Sequence, residues 1–321
     1  MAHFTNSKLE QLLSTPQPFL TDGGLETTMI FLEGQELPAF AAFPLLDNPT
    51  GQAILRDYFE KFLQVAKDNQ TGFVLDTPTW RASHGWAEDT GYSPEAIDKL
   101  NAKAVSFART IAADWEAKDV PVVVNGAIGP AGDGYVPDNA MTAREAQEYH
   151  ARQVVSFATA GADMVSAVTM NYVEEAIGIA SAAKAAGIPV VISFTVETDG
   201  KLPTGQTVED AIAEVDAATG AAPVYYMINC AHPDHFSDIL KGAAWTERLG
   251  GMRANASRMS HAELDEAEEL DDGNPEEFGQ LHAAMMQGLT NIRVIGGCCG
   301  TDHRHVSEVG HCCIKGHAHA A

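Results

Sequence analysis

Short apolar and β-branched runs alternate with segments of helical period along the whole chain. Eight runs read as strands: residues 19–21, 72–76, 120–125, 163–169, 189–195, 224–229, 252–255 and 292–295. Most are continuously apolar, as in TGFVLD, PVVVNG and PVVISF. Strands covered on both faces have this pattern, and such strands are usually parallel. Between them, Leu55, Tyr58, Phe59, Phe62, Leu63 and Ala66 repeat with the helical period, as do Ala104, Phe107, Ala108 and Ile111. Ala151, Val154, Val155 and Ala158 form a third such stripe, and Val208, Ala211, Ile212 and Val215 a fourth. Gly161 and Gly187 each follow a helical run, where a left-handed C-cap is expected. Eight strand–helix units predict one (β/α)8 TIM barrel occupying residues 1–321 as a single domain. The competing architecture is an open doubly wound sheet. No GxGxxG follows the first strand and no GxxxxGK[ST] occurs, so its nucleotide-binding forms lack support. The acidic stretch 259–274 reads as a solvated helix and turn after strand seven.

Composition narrows the class of partner. With 20 Lys plus Arg against 44 Asp plus Glu, the net charge is −24. That opposes nucleic-acid backbones and anionic membrane surfaces. No apolar stretch approaches the roughly 18 residues that span a bilayer. The N-terminus lacks the basic, apolar and small-residue sequence of a secretory leader, so a cytoplasmic location is expected. The 5 Cys, odd in number and mostly late in the chain, do not resemble a secreted disulfide framework.

The polar residues collect where a barrel places its chemistry, at the C-terminal ends of the strands. Strand one ends in Thr21-Asp22-Gly23-Gly24, strand two in Asp76-Thr77-Pro78-Thr79-Trp80, and strand three in Asn125 to Pro130. Strand six ends in Asn229-Cys230, strand seven in Asn255-Ala256-Ser257, and strand eight in Gly296-Gly297-Cys298-Cys299-Gly300. Glycine, asparagine and aspartate are also ordinary turn residues. The thiols are more informative. Strands six and eight lie roughly 10 Å apart, at about 4.8 Å per strand, so inward-pointing sulfurs from both reach one ion. Three thiolates leave one coordination position open, as in catalytic zinc sites. The other reading of the same residues is three buried apolar cysteines.

Asp22-Gly23-Gly24, Asn229-Cys230 and Gly296-Gly297-Cys298-Cys299-Gly300, in this order at these strand ends, resemble the homocysteine S-methyltransferase family. Gly126-Ala127-Ile128-Gly129-Pro130 is similar to that family's third-strand signature. The resemblance implies Zn2+ on Cys230, Cys298 and Cys299. It implies an acceptor pocket lined by Asp22, Gly23 and Gly24, with Asn229 shaping the same wall. Thr77, Thr79 and Trp80 would border substrate from the second-strand loop. The implied partners are a small-molecule thiol acceptor, homocysteine, and a cationic methyl donor. At this length no separate cobalamin or folate domain is expected. A sulfonium donor, S-methylmethionine or S-adenosylmethionine, is therefore favoured, with a betaine-type quaternary ammonium second. Trp80 either faces the donor through a cation–π contact or packs at the rim.

One position departs from the family. After strand four it usually carries a Glu that holds the amino group of homocysteine, and here that position is Val168. Either Asp22, Glu174 or Glu197 substitutes, or the acceptor is not ordinary homocysteine. The stretch 251–265 also differs from the family's proline- and glycine-rich seventh-strand loop. Two other functions remain in play: a zinc hydrolase on the same barrel, and a zinc- or thiol-binding protein without turnover. Near the C-terminus, His303, His305, His311, His317 and His319 accompany Cys312 and Cys313. This segment is either a second metal site or a final helix, capped by Asp302, with a frayed tail. His232 is a candidate neighbour of the metal. Nothing in the sequence sets the oligomeric state.

Overall fold

The computed structural model describes residues 7–138 and 140–315. Its strands β1 (Phe19–Leu20), β2 (Phe73–Asp76), β3 (Val122–Ile128), β4 (Met164–Met170), β5 (Val190–Phe194), β6 (Tyr226–Asn229), β7 (Leu249–Ala254) and β8 (Val294–Gly297) close into a barrel in sequence order. All are parallel to their neighbours, and β1 closes the ring between β8 and β2. Each expected run is a strand, but some limits move. β3 continues through Gly126 to Ile128, because the missing side chain of Gly126 makes room for the Phe157 ring. β7 begins at Leu249, three residues before the expected start at Met252, and β8 reaches Gly297.

The alternation along each strand explains the continuous apolar runs. In β3, Val122, Val124 and Ile128 pack outward into the core shared with the helices. Val123 points into the barrel, where it meets Phe19, Val74, Met164, Val191, Met227 and Val294. Leu9 and Leu12 of the helix Ser7–Ser14 plug the same cluster from below. Each such side chain stabilises the fold by about 1.5–3 kcal/mol on burial. This apolar plug fills the N-terminal mouth and leaves the other mouth for chemistry.

The helices start and stop as their sequences dictate. Asn48 caps Pro49–Asp68, Ser93 caps Pro94–Glu116, and Thr142 with Glu145 forms a capping box on Ala143–Ala160. Gly161 and Gly187 end their helices at φ 84° and 71°, the left-handed caps expected of them. One crossover differs. Between β6 and β7 the chain has only the single turn Pro233–Phe236 and two 3₁₀ turns, with Gly242 at φ 68° interrupting any longer helix. Among the described residues no helix is long and apolar enough to cross a membrane.

Above the plug lies a polar layer. Asn125 donates to Asp76 at 2.7 Å and accepts from Ser166 at 3.0 Å. Arg253 of β7 pairs with both Asp76 and Asp22, and its Nε donates to Gly297 O at 3.1 Å. The loops bearing the cysteines stand on this layer.

Candidate metal and substrate site

Cys230 directly follows β6, and Cys298 and Cys299 directly follow β8, at the same C-terminal mouth. One sulfur from each of the three lies within 4.8 Å of the others. Cys230 Sγ and Cys299 Sγ are 3.5 Å apart. Tetrahedral zinc with Zn–S near about 2.3 Å sets its sulfurs about 3.8 Å apart, so the trio fits such an ion with small adjustment. Among the described residues no other group of His, Cys, Asp or Glu is arranged to hold a metal.

The backbone is bent to achieve this. Cys230 sits at φ 57°, a left-handed conformation that costs a β-carbon residue about 1–2 kcal/mol. It is held there on both sides. Its N–H donates to Arg253 O at 3.0 Å, and its carbonyl accepts from Asn255 Nδ2 at 3.1 Å and His261 Nε2 at 2.7 Å. On the other loop, Gly24 allows the backbone after β1 to lie against the cysteine pair. A β-carbon there would stand 2.8 Å from Cys298 O and 3.1 Å from Cys299 Cα.

Asn229 is fully buried and faces the thiol of Cys298. Its Oδ1 accepts from Thr169 N at 3.0 Å and Ser193 Oγ at 2.6 Å. Its Nδ2 donates to Thr169 Oγ1 at 2.9 Å and reaches Cys298 Sγ at 3.8 Å. Hydrogen bonds from the thiols of Cys230 and Cys299 hold Cys298 well below the usual thiol range, aided by the Arg253 charge and Asn229. Cys230 and Cys299 are correspondingly pushed up as the proton-bearing partners.

A cavity of about 410 Å³ opens over Cys230 and Cys299. Tyr135, on the loop after β3, has its hydroxyl 3.1 Å from Cys230 Sγ, and its ring stacks on His261 at 3.9 Å. That loop is fixed by Glu175, which accepts from Ala131 N at 2.7 Å and is 2.8 Å from His150 Nε2. Carboxylates dominate the charged lining, with Glu26 half-buried and Asp133, Asp265, Glu269 and Asp271 exposed. The stretch expected to be a solvated helix and turn is thus partly a wall of this cavity, contributing Leu264, Ala267 and Leu270 as well.

The other residues singled out in the sequence occupy varied places. Trp80 lines the cavity, donates Nε1 to Val168 O at 3.2 Å, and carries the Arg81 guanidinium on its ring at 4.2 Å. Thr77 and Thr79 are buried and clamp β2 to β3: Thr79 Oγ1 donates to Ala127 O at 2.8 Å, and Thr77 Oγ1 accepts from Ala127 N at 3.1 Å. Asp22 lies beneath the mouth, bonded by Arg253 and, at 3.1 Å, by Tyr58 Oη. Burial pushes its carboxyl up to about 7 against the lowering influence of Arg253. Gly23 packs against Thr301. His232 Nδ1 accepts from Asp234 N at 3.1 Å, capping the short helix Pro233–Phe236. Asp302 caps His303–Gly310 as expected. Cys313 is buried in the helix–strand core beside the half-buried Cys312, while His317 and His319 lie outside the described residues. Glu26, Arg81, Tyr135, Arg253 and His261 were not anticipated. Glu26 alone had a cue, two residues beyond the Asp-Gly-Gly turn.

Known proteins resemble this chain in sequence and in fold. The sequence profile of the family described as homocysteine S-methyltransferase matches residues 19–313. Betaine–homocysteine S-methyltransferase 1 of Rattus norvegicus is 27% identical over 274 residues, which cover 79% of this chain and 63% of that protein. The chain thus spans less than two thirds of that relative's length. The metallated form of the homocysteine methyltransferase MmuM from Escherichia coli has a similar fold. Its TM-score is 0.74 at 21% identity, over 95% of this chain and 99% of that one. The oxidized form of MmuM matches equally, with a TM-score of 0.74 at 22% identity over the same shares of the two chains. A barrel with its cysteine trio at one mouth, matched by the profile along nearly its whole length, places this chain in the homocysteine S-methyltransferase family.

Proposed function

We propose that this protein transfers a methyl group from a small cationic donor to the thiol of homocysteine, giving methionine, with Zn2+ on Cys230, Cys298 and Cys299. The observation that carries this reading is the convergence of three sulfurs at the barrel mouth, two of them, those of Cys230 and Cys299, in the wall of one cavity. An all-thiolate donor set suits zinc, and three protein ligands are the number found in catalytic sites. When bound, zinc supplies a Lewis acid that keeps the acceptor's thiol deprotonated near neutral pH.

The chain's own residues do the rest. Asn229, and the Asn255 and His261 bonds to the Cys230 carbonyl, keep the sulfurs in place. The cavity holds acceptor and donor side by side, which removes much of the entropic barrier to their meeting. The acceptor's sulfur bonds to the methyl carbon as the bond from that carbon to the donor's charged atom breaks. The electron pair stays with the donor, which leaves neutral at that atom, so no general acid is required. The carboxylates of Asp133, Asp265, Glu269 and Asp271 favour a cation at the cavity rim. A sulfonium such as S-methylmethionine or S-adenosylmethionine is the favoured donor, and a betaine the second. With Arg81 already on its ring, Trp80 serves the rim chiefly by packing.

A zinc hydrolase is disfavoured because the trio contains neither His nor carboxylate. The test is metal analysis together with a methyl-transfer assay against a donor panel. Wild-type protein should carry one zinc and methylate homocysteine, and Cys298→Ser should lose both. Full zinc content in Cys298→Ser would overturn the metal site. Tight homocysteine binding with no transfer from any donor would leave a thiol-binding protein instead.

A further inference from the structure

Val168 stands where the family resemblance implies a carboxylate for the acceptor's amino group, and it is buried. The three substitutes suggested by the sequence are committed or remote. Asp22 is bonded by Arg253 and Tyr58, and Glu197 lies 3.0 Å from His261 Nδ1. Glu174 is exposed on the outer helix Val173–Ala186. A fourth acid remains. Glu26 lines the same cavity as Cys230 and Cys299, and among the cavity carboxylates it alone is not exposed to bulk solvent. Among the described residues it has no ion-pair partner, and its carboxylate is served only by its own backbone N–H.

Among the described residues the cavity also has one cation in its lining, Arg81. It is buried between Trp80 and Trp86, at 4.2 and 4.0 Å from their ring centres. Its Nη1 donates to Gly132 O at 2.6 Å, and among the described residues its Nε is buried without a partner and it forms no salt bridge. The charges of Asp133 and, after it, Glu26 favour the Arg81 cation, and among the described residues Arg81 forms a salt bridge with neither. A half-buried carboxylate and a buried guanidinium, neither committed to an ion pair among the described residues, are complementary to a zwitterion.

We propose that Glu26 and Arg81 bind the two charges of the acceptor's amino-acid head, Glu26 the ammonium and Arg81 the carboxylate. Glu26 thereby replaces the carboxylate absent at Val168. This inference rests on the acceptor being the amino-acid thiol proposed above. Burial pushes the Glu26 carboxyl up to about 7, as expected of an acid whose counter-charge comes with the ligand.

Calorimetry on zinc-loaded protein tests it with three thiols: L-homocysteine, 4-mercaptobutanoate, which lacks the amino group, and 3-aminopropane-1-thiol, which lacks the carboxylate. Wild type should bind homocysteine about 10- to 100-fold more tightly than either truncated thiol, the size of one charged hydrogen bond. Glu26→Gln should abolish the preference over 4-mercaptobutanoate while binding that thiol as wild type does. Arg81→Met should abolish the preference over 3-aminopropane-1-thiol. Zinc content and thermal midpoint of both variants report on folding. If Glu26→Gln weakens all three thiols equally, or none, the assignment is overturned while zinc-dependent transfer by wild type still stands. If wild type binds none of the thiols, the proposed function falls together with it. If either variant loses zinc or unfolds, Glu26→Asp decides: it should keep part of the preference, and keeping none overturns the assignment.

Discussion

Arg253 and Asp22 form an ion pair across β8 although 231 residues separate them in the chain. The same guanidinium pairs with Asp76 and donates to Gly297 O, so one side chain ties β1, β2, β7 and β8 together beneath the cysteine loops. Its charge is largely desolvated, at 9% side-chain exposure. Removing one partner from a buried ion cluster leaves the others uncompensated, at about 3–5 kcal/mol. Arg253→Met should therefore destabilise the fold by about that amount in urea unfolding. Combining it with Asp22→Asn and Asp76→Asn should recover part of the loss. If the triple variant is less stable than Arg253→Met, the charges are not what the arginine compensates.

His261 acts on the site through the backbone. It donates to the carbonyl of Cys230, faces Glu197 through its other ring nitrogen, and stacks on Tyr135. Outer partners of metal ligands typically contribute 10- to 100-fold to metal affinity. His261→Phe keeps the stacking ring and deletes the hydrogen bond that helps hold Cys230 at φ 57°. Zinc affinity, measured by competition with a chelator, should fall by about tenfold with Tyr135 still in place. An unchanged affinity would show that Asn255 and the Arg253 carbonyl hold the strained residue unaided.

Gly24 is the point at which the turn after β1 touches the cysteine pair. A β-carbon placed there meets the Cys298 carbonyl at 2.8 Å, a backbone atom that cannot swing aside. Overpacking of this kind costs about 1–3 kcal/mol and is relieved by moving backbone. Gly24→Ala should lower the thermal midpoint and also weaken zinc binding, because the loop that must move bears two of the sulfurs. Metal affinity and melting measured on the same sample check the coupling. A variant that melts early but binds zinc normally would separate the turn from the site.

The barrel was legible because its strands are continuous apolar runs and its helices end at Gly161 and Gly187. The cysteine trio was legible because Cys230 and the Cys298–Cys299 pair terminate strands that topology brings to one mouth. The layer beneath was not. Arg253 lies in a strand whose sequence, LGGMRA, gives no sign that its partners follow β1 and end β2. Tyr135 reaches a sulfur and His261 the Cys230 carbonyl from segments whose course depends on long-range bonds, such as Glu175 to Ala131 and Glu197 to His261. Thr77 and Thr79 misled for a related reason: hydroxyls at a strand end suit a substrate, but here they satisfy the backbone of β3.

His282 supplies a pH dependence remote from the cysteines. Its ring is fully buried beside Phe278, with Nδ1 donating to Phe278 O at 2.8 Å and Nε2 without a partner among the described residues. Burial lowers its pKa to about 4. In the unfolded chain it takes up a proton near about 6.5. Between these values the unfolded state binds the proton and the folded state does not. Stability is therefore lost as pH falls through this window, by up to about 1.4 kcal/mol per pH unit from this group. His282→Met removes the titration while roughly keeping the volume, at the constant cost of one hydrogen bond. The stability of the variant minus that of wild type, from urea unfolding, should be flat above about pH 7 and rise steadily from pH 6.5 to 4. A difference that stays flat across that window would mean that the buried ring is protonated in the folded protein.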